Sequence, residues 1–367
     1  MLPMNRSLGM LLLSISFSLP IYGQLKTKNI ILITTDGLRW QEVMTGADPG
    51  LLNKENGGVQ NIPATKQAYL RDTPQARRQA LMPFFWNVIA KHGQVYGNQT
   101  KASIARITNT MKFSYPGYNE ILCGFADPKI DSNDRIPNKN VTVLEWLNRN
   151  PAFAGKVAAF SGWNVMTAII NRDRCGFTVF AGPEPLPEIN SPTDQLLNDL
   201  ILETSRTYDN EIADSFVFHA AYANLLSHKP RVFYVGFGET DTFGHSGRYD
   251  KILDSAHRVD AYVKKLWESI QSMDEYRDRT TLIFTTDHGR GFAPSEWKSH
   301  GKDIKGAENI WMAFMGPDTP ALGERSNIDV VTQNQIAATL AALLGEDYHA
   351  TVPQSGSPIR DVFPKSK

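Results

Sequence analysis

Residues 281–291, TLIFTTDHGRG, bring a short apolar run to an abrupt stop on Asp287 and His288. Leu282, Ile283 and Phe284 between polar flanks predict a buried strand, because the run is too short for a helix. Adjacent side chains on a strand face opposite ways, so Asp287 and His288 converge only if the backbone turns, which Gly289 and Gly291 permit. An acid beside an imidazole at such a turn points to a metal ligand pair. Residues 29–37, NIILITTDG, repeat the design and end on Asp36. A third run, residues 231–237, RVFYVGF, leads into Asp241 and His245. Ligands of open α/β sheets gather at the carboxyl ends of strands, so three parallel neighbours would deliver all five side chains to one crevice.

The remaining chain alternates as such a sheet requires. Residues 81–91 predict a helix through Phe84 and Val88, and residues 144–150 a second one stopped by Pro151. Residues 156–160 predict a strand whose following loop, SGWNVM, carries Trp163 to the wall of the crevice. Apolar positions from Ile252 to Ile270 recur at helical spacing. Residues 310–315 return as a strand, and residues 335–345 close as a helix. Residues 45–78 show no sustained period and read as a surface excursion. Ser114, in FSYPGYNEILCG, falls near a helix start, where free backbone N–H groups favour negative charge. The expected fold class is α/β, with a doubly wound, mostly parallel central sheet, helices on both faces and loop insertions. No linker or repeat divides it, so residues 24–367 are expected to form one domain.

The chain of 367 residues carries no net formal charge, which removes the electrostatic footprint of a nucleic-acid polymer binder. Arg6 followed by an apolar run at 8–19 reads as a signal peptide over residues 1–23, too short for a permanent membrane anchor. Export to a periplasm or beyond follows as an expectation. In that compartment Cys123 and Cys175 could pair, although two cysteines in this length are no disulfide framework.

Paired metal ions suit multiply charged esters such as phosphates, and such a pair needs mixed carboxylate and imidazole ligands. Asp36, Asp287 and His288 would hold one ion, and Asp241, His245 and His300, the last from WKSHGK, the other. Three acids with three imidazoles favour zinc, with manganese the alternative. Each Asp taken singly reads equally well as a helix cap, but three apolar strands all ending in Asp, two of them with a His close behind, do not. His92, His219, His228, His257 and His349 have no such setting and read as structural or solvated.

In this order TTDG, Ser-Tyr-Pro, DTFGH, TTDHG and SHGK make the chain resemble the alkaline phosphatase superfamily, most closely its type I phosphodiesterase / nucleotide pyrophosphatase branch. The resemblance implies that Asp36, Ser114, Asp287 and His288 bind one zinc and Asp241, His245 and His300 the second. It also implies that Ser114 is the nucleophile, where the branch usually has Thr-Phe-Pro, and that Asn133 in KIDSN hydrogen-bonds a substrate oxygen. The formylglycine motif of the related sulfatases is broken, with Tyr118 in place of its Arg. A Lys-x-Arg pair that serves monoesters in some relatives is replaced by Trp163-Asn164-Val165, and a Trp can stack on a base or sugar. The expected activity is therefore hydrolysis of phosphodiesters, in a small-molecule or glycan-linked substrate, through a phosphoserine. Phosphomonoesters are the alternative, with charge supplied by Arg172, Arg174, Lys298 or Lys302. A sulfate or phosphonate hydrolase and a non-catalytic binding protein stand further back.

Overall fold

A computed structural model describes residues 25–365; the expected signal peptide at 1–23 lies outside them. The strands in chain order are β1 (Asn29–Thr35), β2 (Gln94–Tyr96), β3 (Ala105–Arg106), β4 (Val157–Ser161), β5 (Thr178–Ala181), β6 (Val232–Phe237), β7 (Thr280–Thr286), β8 (Asn309–Ile310), β9 (Met312–Met315), β10 (Gly323–Glu324) and β11 (Val331–Thr332). Eight of them form one sheet in the order β10-β2-β9-β7-β1-β6-β4-β5. Within it only β9 runs against the others. A small sheet, β11-β3-β8, lies apart.

Alternation along the strands sorts the core into two layers, as the period of two demands. Ile31 and Ile33 of β1, Phe233 and Val235 of β6, and Leu282 and Phe284 of β7 enter one hydrophobic cluster. Ile30, Leu32, Val232, Tyr234 and Ile283 enter the other. The first layer is closed by the helices Asp214–His228 and Tyr249–Ser272, the second by Ser114–Cys123, Val143–Asn148 and Ile336–Leu343. Both faces of the sheet are thus covered, and its strands read as near-continuous apolar runs for that reason.

Three expectations need correction. Residues 45–78 are not a bare excursion: helices Lys54–Gly57, Ile62–Tyr69 and Pro74–Leu81 fill much of that stretch and bury Leu51, Leu52, Val59 and Tyr69. Each of these helices is started by a cap, Asn53, Asn61 or Thr73, rather than by apolar periodicity, and each is too short to show one. Residues 81–91 are not one unbroken helix: the residue before Pro83, Met82, leaves the helical conformation, and helical backbone resumes at Pro83 and runs through a π-helical turn over Phe85–Ile89 to His92. There Asp260 accepts from the N–H groups of Phe84 at 2.7 Å and Phe85 at 2.8 Å. The strand expected at 310–315 splits at Trp311, so that β8 serves the small sheet and β9 the large one. Cys123 and Cys175 are separate buried thiols. Among the described residues no helix is long and apolar enough to cross a membrane.

Candidate metal centre

β1 lies between β6 and β7 and is parallel to both, with Thr35 opposite Phe237 on one side and Thr286 on the other. Whatever follows these residues therefore leaves the sheet at one level. Asp36 is held there by its N–H to the carbonyl of Phe237, at 2.8 Å. Gly37 then turns with φ +60°, and its N–H reaches Asp287 Oδ1 at 2.9 Å. The N–H of His288 donates to the same oxygen at 2.8 Å. Gln333 pins the end of β7 by donating to the carbonyls of Thr286 and Asp287 at 3.0 and 2.7 Å. The glycine after His288 is obligatory, since a Cβ at Gly289 would lie 2.2 Å from the carbonyl oxygen of Asn309.

The chain after β6 enters a helix, Glu239–His245, and the spacing of four puts Asp241 and His245 on one side of it. His245 Nε2 lies 3.2 Å from Asp241 Oδ2. From the loop beyond β7, His300 brings its Nε2 to 2.9 Å from that of His245 and 3.5 Å from Asp241 Oδ1. Its ring stacks on His288 with centroids 4.1 Å apart. His288 Nε2 in turn is 3.3 Å from Asp36 Oδ1 and 3.5 Å from Asp287 Oδ2. Two donor triads emerge, Asp36–Asp287–His288 and Asp241–His288–His300, each with its donor atoms within 4.8 Å of one another. His288 belongs to both, so the two sets share a wall.

Ser114 opens the helix Ser114–Cys123, which seats itself against β7 through Gly117. Its Oγ stands 3.4 Å from Asp36 Oδ1 and 3.4 Å from His288 Nε2. One residue on, the N–H of Tyr115 donates to Asn133 Oδ1 at 2.9 Å, which places that exposed amide beside the serine. Tyr118, a turn further along, donates its hydroxyl to Asp36 Oδ2 at 3.1 Å. Trp163 is half-buried with its ring 6.5 Å from that of Tyr118.

The electrostatics of the cluster call for added positive charge. Burial, then the neighbouring carboxylates, push Asp36 and Asp287 well above the ordinary range. Burial acts on Asp241 in the same sense, but Arg290 and then His245 and His300 outweigh it and hold that carboxyl well below. Burial lowers His288 to about 4, and burial with the adjacent His288 lowers His300 to about 2. His245 is raised by its hydrogen bond to Asp241. Neutral imidazoles are the form that binds metals. His288 Nδ1 faces the carbonyl of Gly289 at 2.9 Å and His300 Nδ1 that of Lys112 at 3.3 Å, leaving each Nε2 lone pair toward the centre. Asp287 Oδ2 is buried without a hydrogen-bond partner. Orphaned carboxylate oxygen, outward-tied imidazoles and a mixed O/N donor set fit a divalent cation.

Sequence reasoning missed Arg290, Tyr118 and Gln333 in the centre. Neither Arg290 nor Gln333 carries a signal that could have found it: Arg290 depends on the space that Gly37 and Gly244 leave for it, and Gln333 holds backbone carbonyls. Of the cations considered for a monoester, Arg172 is engaged by Glu184 at 2.7 Å and Arg174 by Glu145 at 2.8 Å.

The sheet order, with acids and imidazoles converging beyond its parallel centre, defines an alkaline phosphatase-like fold. Its similarity in fold extends to a protein of the alkaline phosphatase superfamily from Vibrio parahaemolyticus, at TM-score 0.52 and 13% identity over 93% of this chain and 71% of that one. The phosphonate monoester hydrolase SpPMH from Silicibacter pomeroyi is similar at TM-score 0.55 and 12% identity, over 93% of this chain and 78% of that one. Residues 88–348 match the family described as type I phosphodiesterase / nucleotide pyrophosphatase, and the chain belongs to that family. A curated relative, 2,3-bisphosphoglycerate-independent phosphoglycerate mutase of Gracilaria tenuistipitata var. liui, is 23% identical over 153 residues, 42% of this chain and 29% of that protein. The chain thus matches less than a third of that relative's length.

Proposed function

We propose that this protein is an exported phosphodiesterase that works with two zinc ions and a covalent phosphoseryl intermediate on Ser114. The observation that carries this reading is the position of Ser114 Oγ, 3.4 Å from both Asp36 Oδ1 and His288 Nε2 at the first turn of its helix. Asp36, Ser114, Asp287 and His288 would hold one ion, and Asp241, His245 and His300 the other. When bound, the ions supply the charge that lowers the pKa of a hydroxyl and stabilises a departing oxygen.

The chain's own groups do the rest. Ser114 Oγ gives up its proton to solvent and attacks phosphorus in line; the Oγ–P bond forms as the P–O bond to the leaving alkoxide breaks, and the alkoxide takes a proton from water. Asp36, to which the hydroxyl donates, orients the attacking oxygen. Asn133 uses its oxygen on Tyr115 and keeps its amide N–H groups for a phosphoryl oxygen. Water then cleaves the phosphoserine and restores the hydroxyl. Trp163 supports the diester over the monoester, because an aromatic wall offers a stacking surface and no second positive charge. The engagement of Arg172 and Arg174 elsewhere supports the same choice.

The test is hydrolysis of a nitrophenyl phosphate monoester and the corresponding diester by zinc-loaded protein, with Ser114→Ala as control. Faster turnover of the diester, abolished in the variant, is the expected result. Preference for the monoester would make the protein a phosphatase; zinc-dependent activity on neither would move the substrate to a sulfate or phosphonate ester.

A further inference from the structure

The centre contains a permanent cation that the proposed chemistry does not use. Arg290 is 1% exposed, and its Nη2 donates to Asp241 Oδ1 and, at 3.1 Å, to the Asp241 carbonyl. Its Nη1 donates to the carbonyl of Lys298, two residues before His300. One guanidinium thus bonds the helix that carries Asp241 and His245 and the loop that carries His300. Room for it is made by missing side chains: a Cβ at Gly244 would lie 2.6 Å from Arg290 Cζ, and one at Gly37 3.0 Å from Nε.

The consequence falls on one carboxylate. Asp241 has two oxygens; Oδ1 accepts from Arg290 and lies 3.5 Å from His300 Nε2, while Oδ2 faces His245 at 3.2 Å. An ion held by Asp241, His245 and His300 therefore meets a carboxylate whose orientation is already fixed. A planar, always charged group with several fixed donors can lock a carboxylate and two backbone carbonyls at once, which an ammonium cannot do with the same geometry. Had Arg290 merely filled the place of a cation, it would need no backbone acceptors on two segments.

We propose that Arg290 is the positioning residue of the Asp241–His245–His300 ion, fixing the orientation of the Asp241 carboxylate and joining the two segments that supply that ion's donors. This rests on the two-ion reading above. Partners behind a metal ligand typically contribute about 10- to 100-fold in affinity, and here the loss should fall on one ion only.

The experiment is a titration of full-length mature protein with buffered zinc, read as metal bound per chain, repeated with cobalt and read by its visible absorption. Arg290→Met removes the guanidinium at nearly constant length. Gly244→Ala changes no charge and suits a helical position, yet drives a methyl into the guanidinium. Both variants are expected to retain one ion at wild-type affinity and to bind the second roughly 10- to 100-fold more weakly, with Arg290→Lys in between. Wild-type affinity for both ions, tighter binding of the second, or equal loss of both in folded protein would overturn the proposal. If Arg290→Met does not fold, Gly244→Ala decides alone. A wild-type protein that binds fewer than two ions would overturn the two-ion reading itself and this inference with it.

Discussion

Gly117→Ala tests how Ser114 is placed. A Cβ at Gly117 would lie 2.5 Å from the carbonyl oxygen of Asp287 and 3.3 Å from its Cβ, whereas ordinary contact begins at 3.4 Å. The helix must therefore retreat by about 0.9 Å, the shortfall at the oxygen. Ser114 lies one turn earlier on the same face and retreats with it, away from Asp36 and His288. A misplacement of about 1 Å costs on the order of 100-fold in rate. Stability responds differently. Alanine gains about 1 kcal/mol over glycine inside a helix, against about 1–3 kcal/mol for overpacking. The net change is a loss of roughly 0–2 kcal/mol. Rates on an activated nitrophenyl diester, compared with thermal melts of the zinc-loaded protein, should show kcat down by about 10- to 100-fold with Tm lowered by only a few degrees. A kcat within twofold of wild type would refute the placement of Ser114 by this contact. A fall in kcat that merely tracks unfolding would refute it equally.

Asp260→Ala strands two buried N–H groups at Phe84 and Phe85, and urea melts should show a loss of roughly 2–5 kcal/mol with unchanged activity per folded molecule. Burial lifts the Asp260 carboxyl from 3.8 to about 6, so its contribution to stability is full below pH 3.8 and is lost as pH rises through about 6. Asp260→Asn should accordingly flatten stability between those pH values, and an unchanged slope would remove Asp260 from the account. Stripping the ions with a chelator should lower Tm, by an amount equivalent to about 4 kcal/mol for each ion relative to protein at a thousandfold excess of zinc over its Kd. Trp163→Ala should raise KM for an aryl diester about 2- to 10-fold, the worth of one aromatic contact, with little change for a small monoester.

The three strand ends are legible in the sequence because a fully buried parallel strand must be apolar on both faces and must stop where charge begins. β1, β6 and β7 are such strands, and their adjacency follows from the need to bring Asp36, Asp241 and Asp287 together. The helices at 54–81 are hidden because their starts are set by single caps at Asn53, Asn61 and Thr73, and none is long enough to show a period. Trp311 divides β8 from β9, a split that depends on which sheet each half finds and not on its own composition. In the centre, ligands declare themselves by residue type and place. Arg290 does not, since an arginine between glycines acquires its meaning only when Gly37 and Gly244 are seen to clear space for it.

The central claim is that phosphoryl transfer passes through Ser114. Hydrolysis of a phosphorothioate diester of known configuration, in isotopically labelled water, tests it directly by the stereochemistry at phosphorus. Two successive in-line displacements, the first by Ser114 and the second by water, each invert the centre, so the account predicts net retention. Net inversion would show a single displacement by water and would contradict it.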